Sequence, residues 1–158
     1  MALQFRRVVT GHDATGRAVV KIDEIAKNLV STRPGATASV VWTTEGFPVD
    51  NDGDEDEGRR KTGTTLDNGT VFRILELAPG VSPRNHRTDS IDYAVVMSGE
   101  VYMELDGTSV HLKAGDVLVQ RGTIHNWVNR GTEPCVIAFV LIAAKPVTAG
   151  GQVLQAQG

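Results

Sequence analysis

Cysteine is almost absent from this chain: Cys135 is the one thiol in 158 residues. A lone cysteine excludes an intramolecular disulfide framework and any cysteine-based zinc site. It sits in the apolar run 135–144, where a buried small hydrophobe is the expected role. That run is the longest apolar stretch, and it is half of what a membrane span needs. Strong charge of one sign is also missing, the formal net charge being −3. Nucleic-acid binding needs a basic patch to neutralise phosphates, so no nucleic-acid partner is expected. No cationic start leads into an apolar segment, so no secretory leader is expected and the cytosol is the expected compartment. Helical periodicity is scarce too. Only "EIAKNLV", residues 24–30, reads as a helical turn.

Short, β-branched apolar segments punctuated by glycine turns make up most of the rest. Length and pattern predict one all-β domain over 1–158, an antiparallel sandwich or barrel. Residues 1–46 carry two strands around a Gly-containing turn, the helical turn and a further strand, "ATASVVWTT". Residues 47–63 show no periodicity and carry the acidic block "DNDGDEDE". This length predicts a loop, mobile or folded as a lid over the barrel mouth, with its aromatic end over a ligand and its acidic middle in solvent. The block lacks EF-hand spacing and flanking helices, so a calcium site is not expected. From 70 to 144 the strands "TVFRILEL", "SIDYAVV", "EVYMEL", "SVHLK", "DVLVQ", "HNWVNR" and "CVIAFVLIAA" follow at regular spacing, as a meander closing into a barrel core. The tail after Pro146 reads as frayed.

Two of these apolar strands carry polar groups that a core does not want. Residues two apart share a strand face, which groups Arg84 with His86 and Thr88, Asp92 with Ala94 and Val96, and His125 with Trp127 and Asn129. If these faces point inward, His86, Asp92 and His125 converge. Two imidazoles and a carboxylate make a facial triad suited to divalent iron, manganese, nickel or zinc. A metal-free site with the histidines as hydrogen-bonded acid–base groups is the other reading. Asp92 needs a cation or metal as partner if buried, and an arginine serves as well as a metal. Arg84 could clamp a carboxylate bidentately or stand solvated at the strand entry. Trp127 could wall an aromatic ligand or simply fill core. His12 and His111 are expected outside the site, and Tyr93, Val95 and Met97 on an outer face toward another layer or subunit.

The same residues resemble the two motifs of the cupin superfamily. In the first, Gly80 is followed after five residues by His86, then Thr88, Asp92 and, six residues on, Gly99. In the second stand Gly115, Gly122, His125 and Asn129, with Arg121 near the usual proline. The resemblance covers roughly Val71 to Leu141. It implies a double-stranded β-helix of jelly-roll type, commonly a homodimer, with a site inside the barrel. It also implies metal ligands at His86, Asp92 and His125. Thr88 stands where the family carries a second histidine, and Asp92 where it carries a glutamate. A hydroxyl is a poor ligand, and aspartate is one methylene shorter. The departures favour lyase chemistry, such as decarboxylation, dehydration or cyclisation of a small organic, aromatic or polyketide acid. His86, Asp92 and His125 would move protons, with Arg84, Thr88 and Trp127 contacting substrate. A metal-dependent dioxygenase and a non-catalytic ligand-binding module are the alternatives.

Overall fold

The computed structural model describes residues 2–158. Strands dominate it: β1 Arg6–His12, β2 Ala18–Ile25, β3 Leu29–Arg33, β4 Ala36–Glu45, β5 Gly69–Leu77, β6 Ser90–Ser98 and β7 Glu100–Glu104. They continue as β8 Ser109–Lys113, β9 Val117–Arg121, β10 Asn126–Val128, β11 Cys135–Ala143, β12 Val147–Ala149 and β13 Gln152–Leu154. A single 3-10 turn, Glu57–Arg59, interrupts the loop after β4 among the described residues.

A six-stranded antiparallel sheet runs in the order β3-β4-β5-β11-β6-β9, and a three-stranded sheet, β10-β7-β8, faces it. The core lies between them. Leu75, Leu77, Ala94, Val96, Ile137 and Phe139 from the wide sheet meet Val101, Met103, Leu112 and Trp127 from the narrow one. Strand alternation fixes this face. Across the wide sheet, Val40, Arg73, Phe139, Ala94 and Leu118 stand in one row. Thr43, Val71, Leu141, Asp92 and Gln120 stand in the next. The chain therefore carries Arg73, Asp92 and Gln120 on the same face as its core leucines. The opposite face of β6 and β9 is bare: Tyr93, Val95, Met97, Val117 and Val119 are all exposed.

The strands follow the jelly-roll path that the family resemblance implies, not the simple meander read from strand spacing. Successive strands β6 and β7 belong to different sheets, and β6 pairs with β9 and β11 instead. The switch occurs at Gly99, whose positive φ of 75° and close approach to the Pro134 carbonyl leave no room for a Cβ. The segment 24–30 is not helical. Glu24 and Ile25 end β2, while Leu29 and Val30 open β3 and pair with Ser39 and Ala38. A helix this short is marginal in water, and ladder bonds at both ends satisfy the backbone instead. The tail is not frayed either. It forms the β12–β13 hairpin, and Gln157 bridges back to Arg87.

The wide sheet overhangs the narrow one at β3 and β4. That flank is covered by the β1–β2 hairpin and the segment after the 3-10 turn, and one cationic clamp joins them. The guanidinium of Arg7, only 5% exposed, donates to both oxygens of Asp56 at 2.8 and 2.6 Å. It also donates to Glu24 at 2.8 Å and to the Val41 carbonyl at 3.1 Å. Asp56 in turn caps the 3-10 turn through the Gly58 amide, and its carboxyl is held below the usual range chiefly by Arg7. A Cβ at Gly58 would strike the Arg7 guanidinium and the Val41 carbonyl. The acidic block is thus not uniformly solvated, because Asp56 is its anchor. At the aromatic end of the loop, Phe47 is 94% exposed.

Replacing Arg7 by alanine leaves Asp56 half-buried with only the exposed Arg59 as a cation. The expected loss is about 3 kcal/mol of unfolding free energy. Urea denaturation of Arg7→Ala against the parent checks this, and a change below about 1 kcal/mol, the surface-pair scale, would count against the clamp.

Candidate active site: a histidine pair in a cationic chamber

His86 and His125 lie directly opposite each other. Their backbones exchange both amide–carbonyl bonds, at 3.0 and 2.9 Å, as an isolated antiparallel bridge. Opposed residues of such a pair project to the same side. The rings accordingly meet at 4.2 Å between centroids, tilted by 52°. Each ring is fixed in the same way. Nδ1 of His86 bonds the Arg84 carbonyl at 2.9 Å, and Nδ1 of His125 bonds the Thr123 carbonyl at 2.9 Å. A carbonyl only accepts, so both Nδ1 atoms carry the proton and both Nε2 atoms keep a free lone pair.

Both histidines are buried. Burial pushes their imidazoles below the ordinary value, to about 4 for His125, and nearby guanidiniums push the same way. Both are neutral at pH 7. Asp92 lines the same chamber, and its burial pushes its carboxyl up. Oδ1 of Asp92 accepts from the Ser90 hydroxyl at 2.6 Å, and Ser90 is linked at 2.8 Å to the Thr88 hydroxyl. Trp127 is in the core and also walls the chamber, edge-on to His125 at 5.8 Å. Arg84 reaches the chamber, and its Nη2 donates to the Gly158 carbonyl at 2.9 Å. All six residues expected at the site, His86, Asp92, His125, Arg84, Thr88 and Trp127, therefore border one cavity. His111 stands outside, paired with Glu100 and stacked on Tyr102.

Sequence reasoning missed two further arginines and a glutamine. Arg33 and Arg73 join Arg84 around the chamber, and none of the three has an ion-pair partner among the described residues. Burial pushes the Arg73 guanidinium down to about 10, so it stays charged at pH 7. Its Nε is a buried donor without a partner, and Oε1 of Gln120 is a buried acceptor without one. The signal for Arg73 was in "TVFRILEL", where Val71, Arg73, Leu75 and Leu77 share one face. For Gln120 the signal was misleading, because Val117 and Val119 look like core and are 74% and 56% exposed.

The residues do not form the family's metal triad. Two imidazole Nε2 atoms converge, which suits a divalent ion. However, no group of three His, Cys, Asp or Glu side chains is placed to hold one among the described residues. Asp92 is engaged by Ser90, and Thr88 by the same hydroxyl. Three guanidiniums against one carboxylate also oppose a cation electrostatically. This donor set does not fit a divalent ion held by the protein alone, whereas the charge balance fits an anion.

The buried neutral histidines set a pH dependence. Unfolding returns them to an ordinary value near 6.5, so between there and about 4 the unfolded chain binds more protons than the folded one. Stability therefore falls as pH drops through that window, by on the order of 3 kcal/mol for His125. The carboxyl of Asp92, raised by burial, works in the opposite direction, because the folded chain keeps that proton to a higher pH than the unfolded one. Urea midpoints at pH 7 and pH 5 should show the fall, and His125→Gln should remove most of it. An unchanged slope in that variant would refute the assignment.

Comparison with known proteins identifies the family. A family model for the cupin domain matches residues 73–142. The cupin-domain-containing oxidoreductase fogC of Aspergillus ruber is 35% identical over 157 residues, 94% of this chain and 77% of that protein. Phomopsin biosynthesis cluster protein C' of Diaporthe leptostromiformis is 37% identical over 157 residues, 94% of this chain and 83% of its own. Among solved structures, the polyketide cyclase RemF of Streptomyces resistomycificus shares the fold, with a TM-score of 0.51 at 17% identity over 77% of each chain. KdgF from Halomonas sp. does so at 0.50 and 18%, over 73% of this chain and 88% of its own. Both cupin motifs, the jelly-roll path and these relatives lead to one conclusion: the chain belongs to the cupin family.

Proposed function

We propose that this cupin is an enzyme acting on a small organic anion whose reacting end enters the chamber between His86 and His125. The observation that carries the reading is the chemistry of the wall. Two neutral imidazoles offer free Nε2 atoms, three guanidiniums lack ion-pair partners, and a buried donor and acceptor stand unpaired. A buried unpaired group costs about 1–3 kcal/mol, which a ligand supplying the partner removes. A carboxylate or enolate meets that description, as in an aromatic or polyketide acid. The relatives named as biosynthesis cluster proteins and cupin-domain-containing oxidoreductases support a substrate from small-molecule biosynthesis.

In this reading Arg73 and Arg84 hold the anionic end, and their charge stabilises the negative charge that develops when a proton leaves carbon or a carboxylate leaves as carbon dioxide. The unprotonated Nε2 of His125 or His86 takes the proton. Asp92, its carboxyl raised by burial, returns one to the product side. Decarboxylation, dehydration and cyclisation all reduce to such transfers. No step here runs through a metal ion. The description of relatives as oxidoreductases favours a second reading, a metal-dependent dioxygenase, for which the two imidazoles would be the protein's contribution.

Titration with benzoate and salicylate, followed by calorimetry, tests the site. His86→Ala and His125→Ala should each weaken binding, and His111→Ala should not. Arg84→Ala should cost about 1.5–3 kcal/mol, the scale of a hydrogen bond to a charged group. Metal analysis of the purified protein separates the two chemistries: stoichiometric iron, manganese, nickel or zinc lost in His125→Ala would favour the dioxygenase. Binding without turnover of any acid would leave a ligand-binding module.

The reading includes a homodimer formed through the bare face of β6 and β9. Tyr93 pairs with Val119 and Val95 with Val117 in register, so these exposed side chains form one continuous apolar strip with Met97. Such a strip is a liability on a lone chain. Light scattering should give twice the chain mass at micromolar concentration, and Val119→Glu should halve it. A monomeric parent protein would end the proposal.

A further inference from the structure

The histidine chamber is too small for a whole substrate. Its free volume is 30 Å3, about that of one water molecule. It admits a carboxylate or a carbonyl and little else. Next to it, under the overhang of the wide sheet, lies a cavity of 820 Å3. The two compartments share Thr64, Arg73 and Arg84, so the arginines form a collar between them. A ligand whose head reaches the histidines past this collar has room for its remainder in the larger cavity.

The chemistry of that cavity is specific. Val30 and Ala38 are opposed in register, and Val40 is opposed to Arg73, so one face of β3 and β4 forms an apolar floor leading to the collar. Val30 is 60% exposed, apolar surface that the protein itself does not cover. The opposite wall is the segment 58–64, fastened by the Arg7–Asp56 clamp. On that wall the guanidiniums of Arg59 and Arg60 are already paired with Asp56, Glu45 and Glu57, and Lys61 adds an ammonium. Unpaired guanidinium charge is thus concentrated at the inner end, at Arg73 and Arg84. The arrangement is polarised, with a cationic collar at one end of an apolar trough.

We propose that this trough binds the apolar tail of the substrate, which is therefore an elongated amphiphilic anion. An acid or enolate head meets the arginine collar and the histidines, and an alkyl or aryl tail lies along Val30, Ala38 and Val40. The proposal rests on the placement of the head at His86 and His125, and it adds the substrate class. A cavity of 820 Å3 is in the range that buries a drug-sized ligand.

Calorimetric titration of the full chain with benzoate, 4-propylbenzoate and 4-hexylbenzoate tests it, with the methyl ester of the last as a neutral control. Each added methylene should tighten binding by about threefold, somewhat below the full transfer value. The ester should bind at least about tenfold more weakly than its acid, because it forfeits the charged hydrogen bonds at the collar. In Val40→Gln, checked for folding by circular dichroism, the dependence on tail length should flatten. If benzoate binds and the series is flat, the trough is overturned while the head site stands. If acid and ester bind alike, the tail is held at some other apolar surface and the trough is overturned. If a folded Val40→Gln protein keeps the full dependence, the floor is misassigned and the trough is again overturned. If no acid of the series binds, the head site and the trough fall together.

Discussion

A six-stranded sheet facing a three-stranded one cannot be covered by its partner alone. Where the two overlap, aliphatic and aromatic side chains interdigitate at the density of any protein interior. Beyond that overlap the cover is incomplete: Ala36 and Ala38 of β4 still pack in the core, whereas Val30 of β3 is 60% exposed. The chain meets this constraint with its N-terminal hairpin and the segment after the 3-10 turn, and neither carries enough apolar surface to seal the flank. They are held there by charge instead. Arg7 gathers Asp56, Glu24 and a backbone carbonyl around one guanidinium, and so fixes a roof at a distance from the floor. The trough is the space that remains. A hydrophobic seal would have closed it, whereas an ion-paired roof leaves it open.

The barrel's inner end is shaped by the opposite economy of charge. Guanidiniums that are not paired by the protein stand around two imidazoles that are not protonated. Each half of that arrangement supports the other. Burial alone disfavours charge on the imidazoles, and positive neighbours disfavour it further. The imidazoles therefore remain bases rather than cations, while the arginines supply the only strong positive charge. An anion entering such a site finds both a counter-charge and a proton acceptor. A cation finds two good donors and an unfavourable field.

The chamber departs from the cupin motif at two of its positions. Thr88 and Asp92 occupy positions where the motif has longer or softer ligands, and both are drawn into a hydroxyl chain through Ser90. That chain orients Asp92 away from being a free ligand. The Nδ1-to-carbonyl bonds of the two histidines, by contrast, are those a ligating pair would need. The two imidazoles thus keep their Nε2 atoms free, while the other two motif positions are tied into hydrogen bonds of their own.

How much of this was legible in the sequence depends on which force decides each feature. Alternation of apolar residues placed nearly every strand, because a one-residue slip would turn a whole face to solvent. Parity and motif spacing brought His86, Asp92 and His125 to one cavity, because side-chain direction in a strand is a local property. The same parity placed Arg73 inside, although an arginine among leucines reads as an outward residue until its neighbours are counted. Val117 and Val119 misled for the converse reason: their strand lies at the sheet edge, and which face of an edge strand is covered depends on a partner sheet that the sequence does not name. The jelly-roll crossings came only with the motif resemblance, and the Arg7 clamp and the trough were not legible at all. They join residues dozens of positions apart, such as Arg7 with Asp56 and Arg84 with Gly158, and only the closed chain decides those distances. The sequence by itself determined the all-β class and the histidine pair, since each is written in neighbouring residues. The tertiary structure decided the cationic collar and the cavity behind it, since both arise from surfaces that meet only after the sheets have packed.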